Sequence, residues 1–139
     1  MDTTVFSDIN WLAVLVAALA YFVVGALWYA PLFGKTWVKH HKIDVNDPEM
    51  KKGVAGTFVS SFLLMIVTCI GLAILISRME LTELMSGVKL GLLTGIFFSM
   101  TSISITYLYL KKPAALHFIE GLYHVVGQIV AAIIICLWQ

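Results

Sequence analysis

The sequence predicts an all-α fold, a four-helix transmembrane bundle with a short interfacial helix after the first transmembrane helix. Three observations predict it. Hydrophobic residues fill 60% of the 139 positions and charged residues only 12%, with a mean hydropathy of +0.95. A water-soluble domain needs more charge than this to cover its surface. Four apolar stretches, at about 9–30, 54–77, 87–110 and 114–138, each reach the roughly 20 residues that a bilayer core requires. None alternates in polarity like a strand of a membrane barrel, and hydrogen bonding in lipid makes each stretch helical. The chain therefore reads as one transmembrane domain, 1–139.

The first stretch is expected to be retained rather than cleaved as a signal peptide. Asp2 and Asp8 precede it with no Lys or Arg, so the basic leader region is missing and the apolar run is too long. Pro31 breaks this helix. In the loop at 32–53, Leu32, Phe33, Trp37 and Val38 mixed with Lys35 and Lys39 predict a short amphipathic helix at the membrane surface. His40 and His41 read as part of a solvated, lipid-facing surface there. Asp47, Pro48 and Glu49 have the chemistry of N-cap, N1 and N2 for the second helix. The short connection from Arg78 to Ser86 predicts a tight hairpin of helices two and three. The turn at Lys111 to Pro113 predicts another for helices three and four.

Orientation follows from the basic residues. Lys35, Lys39, Lys42, Lys51 and Lys52 share one face with Lys111 and Lys112, whereas the other face has Arg78 and Lys89. The expectation is a multi-pass protein of the cell membrane, with the basic loops in the cytoplasm and both termini outside. Trp11, Trp28, Tyr29, Trp37, Tyr107, Tyr109 and Trp138 fall near helix ends and predict an aromatic belt. The net charge of +1 offers no concentrated basic patch for nucleic acid. The lipid bilayer and further copies of the same chain, in a homo-oligomer, are the expected partners, and the sequence identifies no soluble one. Cys69 and Cys136 lie in separate apolar runs at different depths, which argues against a disulfide.

Helices associate in lipid by close backbone approach. Gly87, Gly91 and Gly95 make a GxxxGxxxG stripe, roughly extended by Ser99, Ser102 and Thr106. Ala13, Ala17 and Ala20 mark helix one, Gly53, Gly56 and Ser60 the start of helix two, and Gly121, Gly127 and Ala131 helix four. Packing inside one chain accounts for these residues. A sharper alternative makes the stripe from Gly87 to Ser99 a subunit interface of a homo-oligomer, because four short helices enclose little volume for a pore.

The fourth helix carries the most informative residues: His117, Glu120, Tyr123, His124 and Gln128. At about 100° per residue, His117, Glu120, His124 and Gln128 fall in a wedge of roughly 80°. A carboxylate at the depth of Glu120 costs several kcal/mol unless paired or hydrated. Three outcomes are open: a protonated Glu120, an ion pair with His124 or His117, or hydrogen bonds to groups such as Asn10, Tyr21 or Trp28. The cluster reads either as a lock between helices or as a proton, cation or ligand site. Metal or haem ligation needs further ligands, so no metal and no cofactor is expected. Walker, dinucleotide, HExxH, CxxC and GxSxG motifs are all absent from the sequence, and with no nucleophile indicated the expectation is not an enzyme.

The run Asn10-Trp11-Leu12-Ala13-Val14, then Phe22, Gly25, Leu27-Trp28-Tyr29-Ala30-Pro31 and Phe33-Gly34-Lys35-Thr36-Trp37, resembles the DUF1761 family of small membrane proteins. The resemblance runs over most of the chain and is most specific in helix one and the segment after it. The family is of unknown function, so the resemblance implies no catalytic residues. It draws attention to Asn10, Trp28, Tyr29 and Pro31, which physically would set helix depth and exit angle.

Three functions remain in view. The first, taken as the leading reading, is a small homo-oligomeric channel or transporter, with Glu120 and His124 handling protons or cations and Tyr123 and Gln128 lining the path. The second is a structural or interaction protein whose polar cluster only locks helices. The third is a binder of lipid or a small ligand that uses the collar of Trp28, Tyr29, Lys35 and Trp37.

Overall fold

Lipid offers the backbone no hydrogen-bond partners, so each apolar stretch must satisfy its own. A computed structural model, which describes residues 3–138, shows them doing so as helices, with no strand among the described residues. Asp2 lies outside the described residues. Four spans are long and apolar enough to cross a membrane: Trp11–Leu32, Val54–Arg78, Leu84–Tyr109 and Ala114–Leu137.

The first span is α1 (Trp11–Leu27) continued by a π-helical turn, Trp28–Leu32. Asn10 caps α1, its Oδ1 accepting from the backbone N–H of Ala13 at 3.1 Å. Pro31 has no N–H to continue the α-helical ladder, and the turn closes instead through Phe33 N–H on the Trp28 carbonyl at 2.8 Å. The chain then reverses into α2 (Gly34–His41), the expected interfacial helix. Asp47 does cap a helix, but it caps the separate single turn α3 (Pro48–Lys51). Gly53, at φ +74°, ends that turn before α4 (Val54–Arg78) begins. A residue with a Cβ resists this left-handed conformation.

The third span comprises α5 (Leu84–Thr94), a π-helical segment Gly95–Met100 and α6 (Thr101–Tyr109). The π segment corrects the expected stripe. One extra residue in the turn rotates the face that follows. Ser102 and Thr106 are therefore exposed, and Ile103, Ser104 and Tyr107 take the half-buried side.

The fourth span, α7 (Ala114–Leu137), is the central helix. Half of its apolar window is buried, against 22–28% for the others. The glycine stripe of α5 faces it within the same chain. A Cβ on Gly87 would lie 2.8 Å from Ile133 Cα, one on Gly95 would lie 2.7 Å from Val125 Cα, and one on Gly91 would meet the backbone of Ile129 and Gln128. The stripe therefore holds α5 against α7 and is not free to form a subunit interface. On the other side of α7, the Tyr21 ring occupies the space that a Cβ on Gly127 would need.

The tight hairpin expected of helices two and three is absent. The third span packs chiefly on α7, whereas α4 packs on α1 and α7. Moreover α4 is buried only in its second half, at Cys69, Leu72, Ala73 and Ile76, while residues 54–60 are all exposed. The small residues expected to pack its start do not, and a Cβ on Gly56 would meet nothing within 4 Å. Phe22 touches Phe58 and Phe62 edge-on, at 6.0 and 5.9 Å between ring centroids, and keeps α4 beside α1. A wedge remains between α4 and α7, opening toward the face that carries the basic loops. The start of α1 and the end of α7 meet at the opposite face, where Asn10 Nδ2 donates to the Trp138 carbonyl at 2.7 Å. Cys69 and Cys136 are buried free thiols.

Candidate functional site

The site is assembled at the basic-face end of α7. Glu120 projects from the second turn of that helix, with a side chain only 16% exposed. The reversal after Pro31 brings α2 beneath it. Trp37 donates its indole N–H to Glu120 Oε1. Tyr29, from the π-turn, donates its hydroxyl to Oε2 at 2.6 Å. His41, one helical turn after Trp37, lies with Nε2 3.4 Å from Oε1. An indole N–H can only donate, so the carboxylate acts here as an acceptor gripped at both oxygens.

These partners differ from those expected. His124, His117, Asn10, Tyr21 and Trp28 do not bond Glu120. His41 corrects the reading of the two loop histidines as lipid-facing surface, since its side chain is 17% exposed and turned inward. The short helix explains it: residues four apart share a face, so any rotation that points Trp37 at α7 points His41 there too. Their rings lie 4.7 Å apart. His41 and Trp37 were findable from that spacing. Tyr29 was findable only by knowing that the π-turn rotates it inward.

The wedge of polar residues on α7 separates into distinct contacts. His124 Nδ1 pairs with the Tyr21 hydroxyl at 2.5 Å. Gln128 Nε2 donates to Ser99 Oγ at 2.5 Å, linking α7 to the π segment of the third span. His117 Nε2 lies 3.3 Å from the Lys112 carbonyl, with the Tyr107 ring at 5.6 Å. Tyr123 packs among Tyr21, Tyr29 and His124, with centroids 5.6, 5.1 and 4.6 Å away. Trp28 donates to the Ile119 carbonyl at 2.9 Å and stacks on Phe33. The aromatic belt is thus divided. Trp11, Tyr109 and Trp138 are exposed, whereas Trp28, Tyr29, Trp37 and Tyr107 turn toward protein.

The wedge between α4 and α7 holds two adjoining cavities. One, of about 630 Å³, is lined by α1, α4 and α7, including Tyr21, Phe22, Phe58, Leu64, Tyr123 and His124. The other, of about 880 Å³, lies toward the basic loops and includes Lys35, Trp37, Val45 and Glu120. Tyr29, Ala30, Phe58 and Ser61 line both, so the two form one groove. Each cavity taken singly falls in the size range of small-molecule sites, and the mainly apolar walls with a few convergent polar groups are of the same kind. Among the described residues no group of three or more His, Cys, Asp or Glu is placed to hold a metal.

No curated protein and no solved structure matches the chain. Residues 12–136, nearly the whole chain, match the family described as Protein of unknown function (DUF1761). The four membrane-spanning helices and this match together place the chain in the DUF1761 family.

Proposed function

We propose that the protein binds a lipid-soluble molecule in the groove between α1, α4 and α7. The molecule's polar group lies at the junction of the two cavities, beside Tyr29, Ser61 and Tyr123. Its apolar part lies along Phe22, Phe58 and Leu64. Continuity of the groove carries this reading, because Tyr29, Ala30, Phe58 and Ser61 line both cavities. The clasp of Trp37, Tyr29 and His41 on Glu120 holds α2 in place as one wall of the mouth, with Lys35 beside it. The bias of basic residues supports a cytoplasmic placement of that mouth and both termini outside the cell membrane. Of the collar considered from sequence, Tyr29, Lys35 and Trp37 line the groove, and Trp28 is spent on the Ile119 carbonyl.

The test is extraction and mass spectrometry of molecules that co-purify with the protein. Ser61→Trp fills the shared section of the groove. A defined lipid-soluble species present with the unaltered chain and lost from a folded Ser61→Trp variant supports the reading. The same species at equal occupancy in both overturns it.

Proton or cation handling by a homo-oligomer is the second reading. It is favoured by the placement of Glu120 and His124 one turn apart on α7 and by the Tyr21–His124 pair. It has less support than binding, because beyond Gln128 the buried residues of α7 are Ala131, Ala132, Ile135 and Cys136. With the glycine stripe occupied inside the chain, an oligomer would need another face.

A further inference from the structure

We infer that the molecule held in this groove is a lipid-soluble quinone: a planar ring with carbonyl oxygens on opposite edges and an apolar tail. This rests on the ligand-binding reading above and names its chemical class.

Unspent hydrogen-bonding groups carry the inference. The Tyr123 hydroxyl makes no hydrogen bond to a described residue, although the residue is only 5% exposed. It lies over Gly25, 3.1 Å from where a Cβ would stand, and both residues line the inner cavity. His124 spends Nδ1 on Tyr21 and leaves Nε2. With the Tyr21 hydroxyl as donor, Nε2 carries the proton and is a second donor. Ser61, on α4, also has an uncommitted hydroxyl. The one sealed side-chain polar atom without a hydrogen bond among the described residues is His41 Nε2, so these three groups keep open surface, and the groove is what they line.

Their positions match two acceptors rather than one. Tyr123 and His124 stand on α7, and Ser61 stands on α4, the opposite wall. Ser61, Tyr123 and His124 all line the inner cavity, so donors of both walls face one space. Bare donors at this depth in hydrocarbon are costly. A lipid whose acceptors all stay at the membrane surface would leave them unmet. A ring with carbonyls on opposite edges meets both walls. Tyr21, Phe22, Tyr29, Phe58 and Tyr123 supply ring faces and edges for it. Leu64, 67% exposed at the lipid-facing side, leaves an exit for the tail.

The test titrates decyl-benzoquinone into the full chain in detergent and follows quenching of its tryptophan fluorescence. Saturable quenching is expected. Affinity is expected to fall about 3- to 10-fold in Tyr123→Phe, which keeps the ring contacts, and by a similar factor in Ser61→Ala, the range for one lost hydrogen bond. Decanol and phosphatidylglycerol are expected not to compete. Quenching that never saturates, equal affinity in both variants, or full competition by decanol would overturn the quinone assignment. If another lipid-soluble species still co-purifies with the unaltered chain and is lost from Ser61→Trp, the assignment falls and the groove reading stands. If nothing co-purifies and nothing saturates, both fall.

Discussion

Trp37 donates its indole N–H to the carboxylate of Glu120, 83 residues further along the chain, and so ties the interfacial helix α2 to the central helix α7. Trp37→Phe keeps an aromatic ring and removes the donor. The expected loss is about 1–3 kcal/mol, the usual cost of leaving a buried acceptor without its donor. Glu120→Gln replaces one acceptor oxygen by an amide that presents hydrogens to a donor, and is expected to cost about 1–3 kcal/mol. In both variants, hydrogen exchange across residues 34–41 should speed up more than exchange in α7. Unchanged exchange in α2 would show that the clasp does not hold it.

Glycine substitutions separate packed from unpacked helix faces. Gly91→Ala pushes a Cβ into the backbone of Ile129 and Gln128, where neither side can yield. Thermal unfolding in detergent should show a loss of about 2 kcal/mol or more, as for other overpacked sites. At Gly56 and Gly71 a Cβ meets nothing within 4 Å. Alanine there should be neutral or stabilise by up to about 1 kcal/mol through helix propensity. Equal effects at all three positions would contradict the packing described.

The Tyr21–Gly127 contact is a knob against a hole, and the two positions should be coupled. Gly127→Ala alone should destabilise the bundle, because its Cβ meets the Tyr21 ring. Tyr21→Leu alone should cost about 2–4 kcal/mol through lost ring burial and the lost His124 partner. The double variant should be more stable than the sum of the two losses, by about 1 kcal/mol or more. A double-variant cycle with simple additivity would mean that the two residues do not touch.

At the opposite face, Asn10 serves the start of α1 and the end of α7. Its Oδ1 caps α1 and its Nδ2 reaches the Trp138 carbonyl. Asn10→Ala should cost about 1–2 kcal/mol, the cap loss with a small addition. Asn10→Asp keeps the cap acceptor and loses the donor, so it should cost less in α1 stability but still loosen the last turn of α7 by hydrogen exchange.

Much of the fold was legible because lipid enforces it. Twenty-odd apolar residues in a row have one outcome, and Pro31 at the end of the first run has a mechanical consequence. Packing order was less legible. Arg78 to Ser86 is a short connection, yet α4 leans on α1 and the third span on α7, because the glycines and alanines that allow close approach lie on α1, α5 and α7. The π segment at Gly95–Met100 was hidden for a similar reason: no Pro or charge marks it, and it shows only as the shift of the inward face from Ser102 to Ile103. In the site, Glu120 and His124 stood out by their depth. How Tyr29, Trp37, His41 and Tyr21 pair with them did not, since each pairing depends on how the chain turns after Pro31 or on which face of α1 meets Gly127.

The most direct measurement is photo-crosslinking from α4 in native membranes, with benzoylphenylalanine at position 64 or 63. Leu64 lines the groove and Leu63 does not, and both are exposed, at 67% and 56%. A discrete lipid-soluble adduct at position 64, with only heterogeneous bulk-lipid adducts at 63, is the expected result. Identical adducts at both positions, or a crosslink from position 64 to Tyr123 or His124 of the same chain, would mean that the groove holds no ligand or is closed.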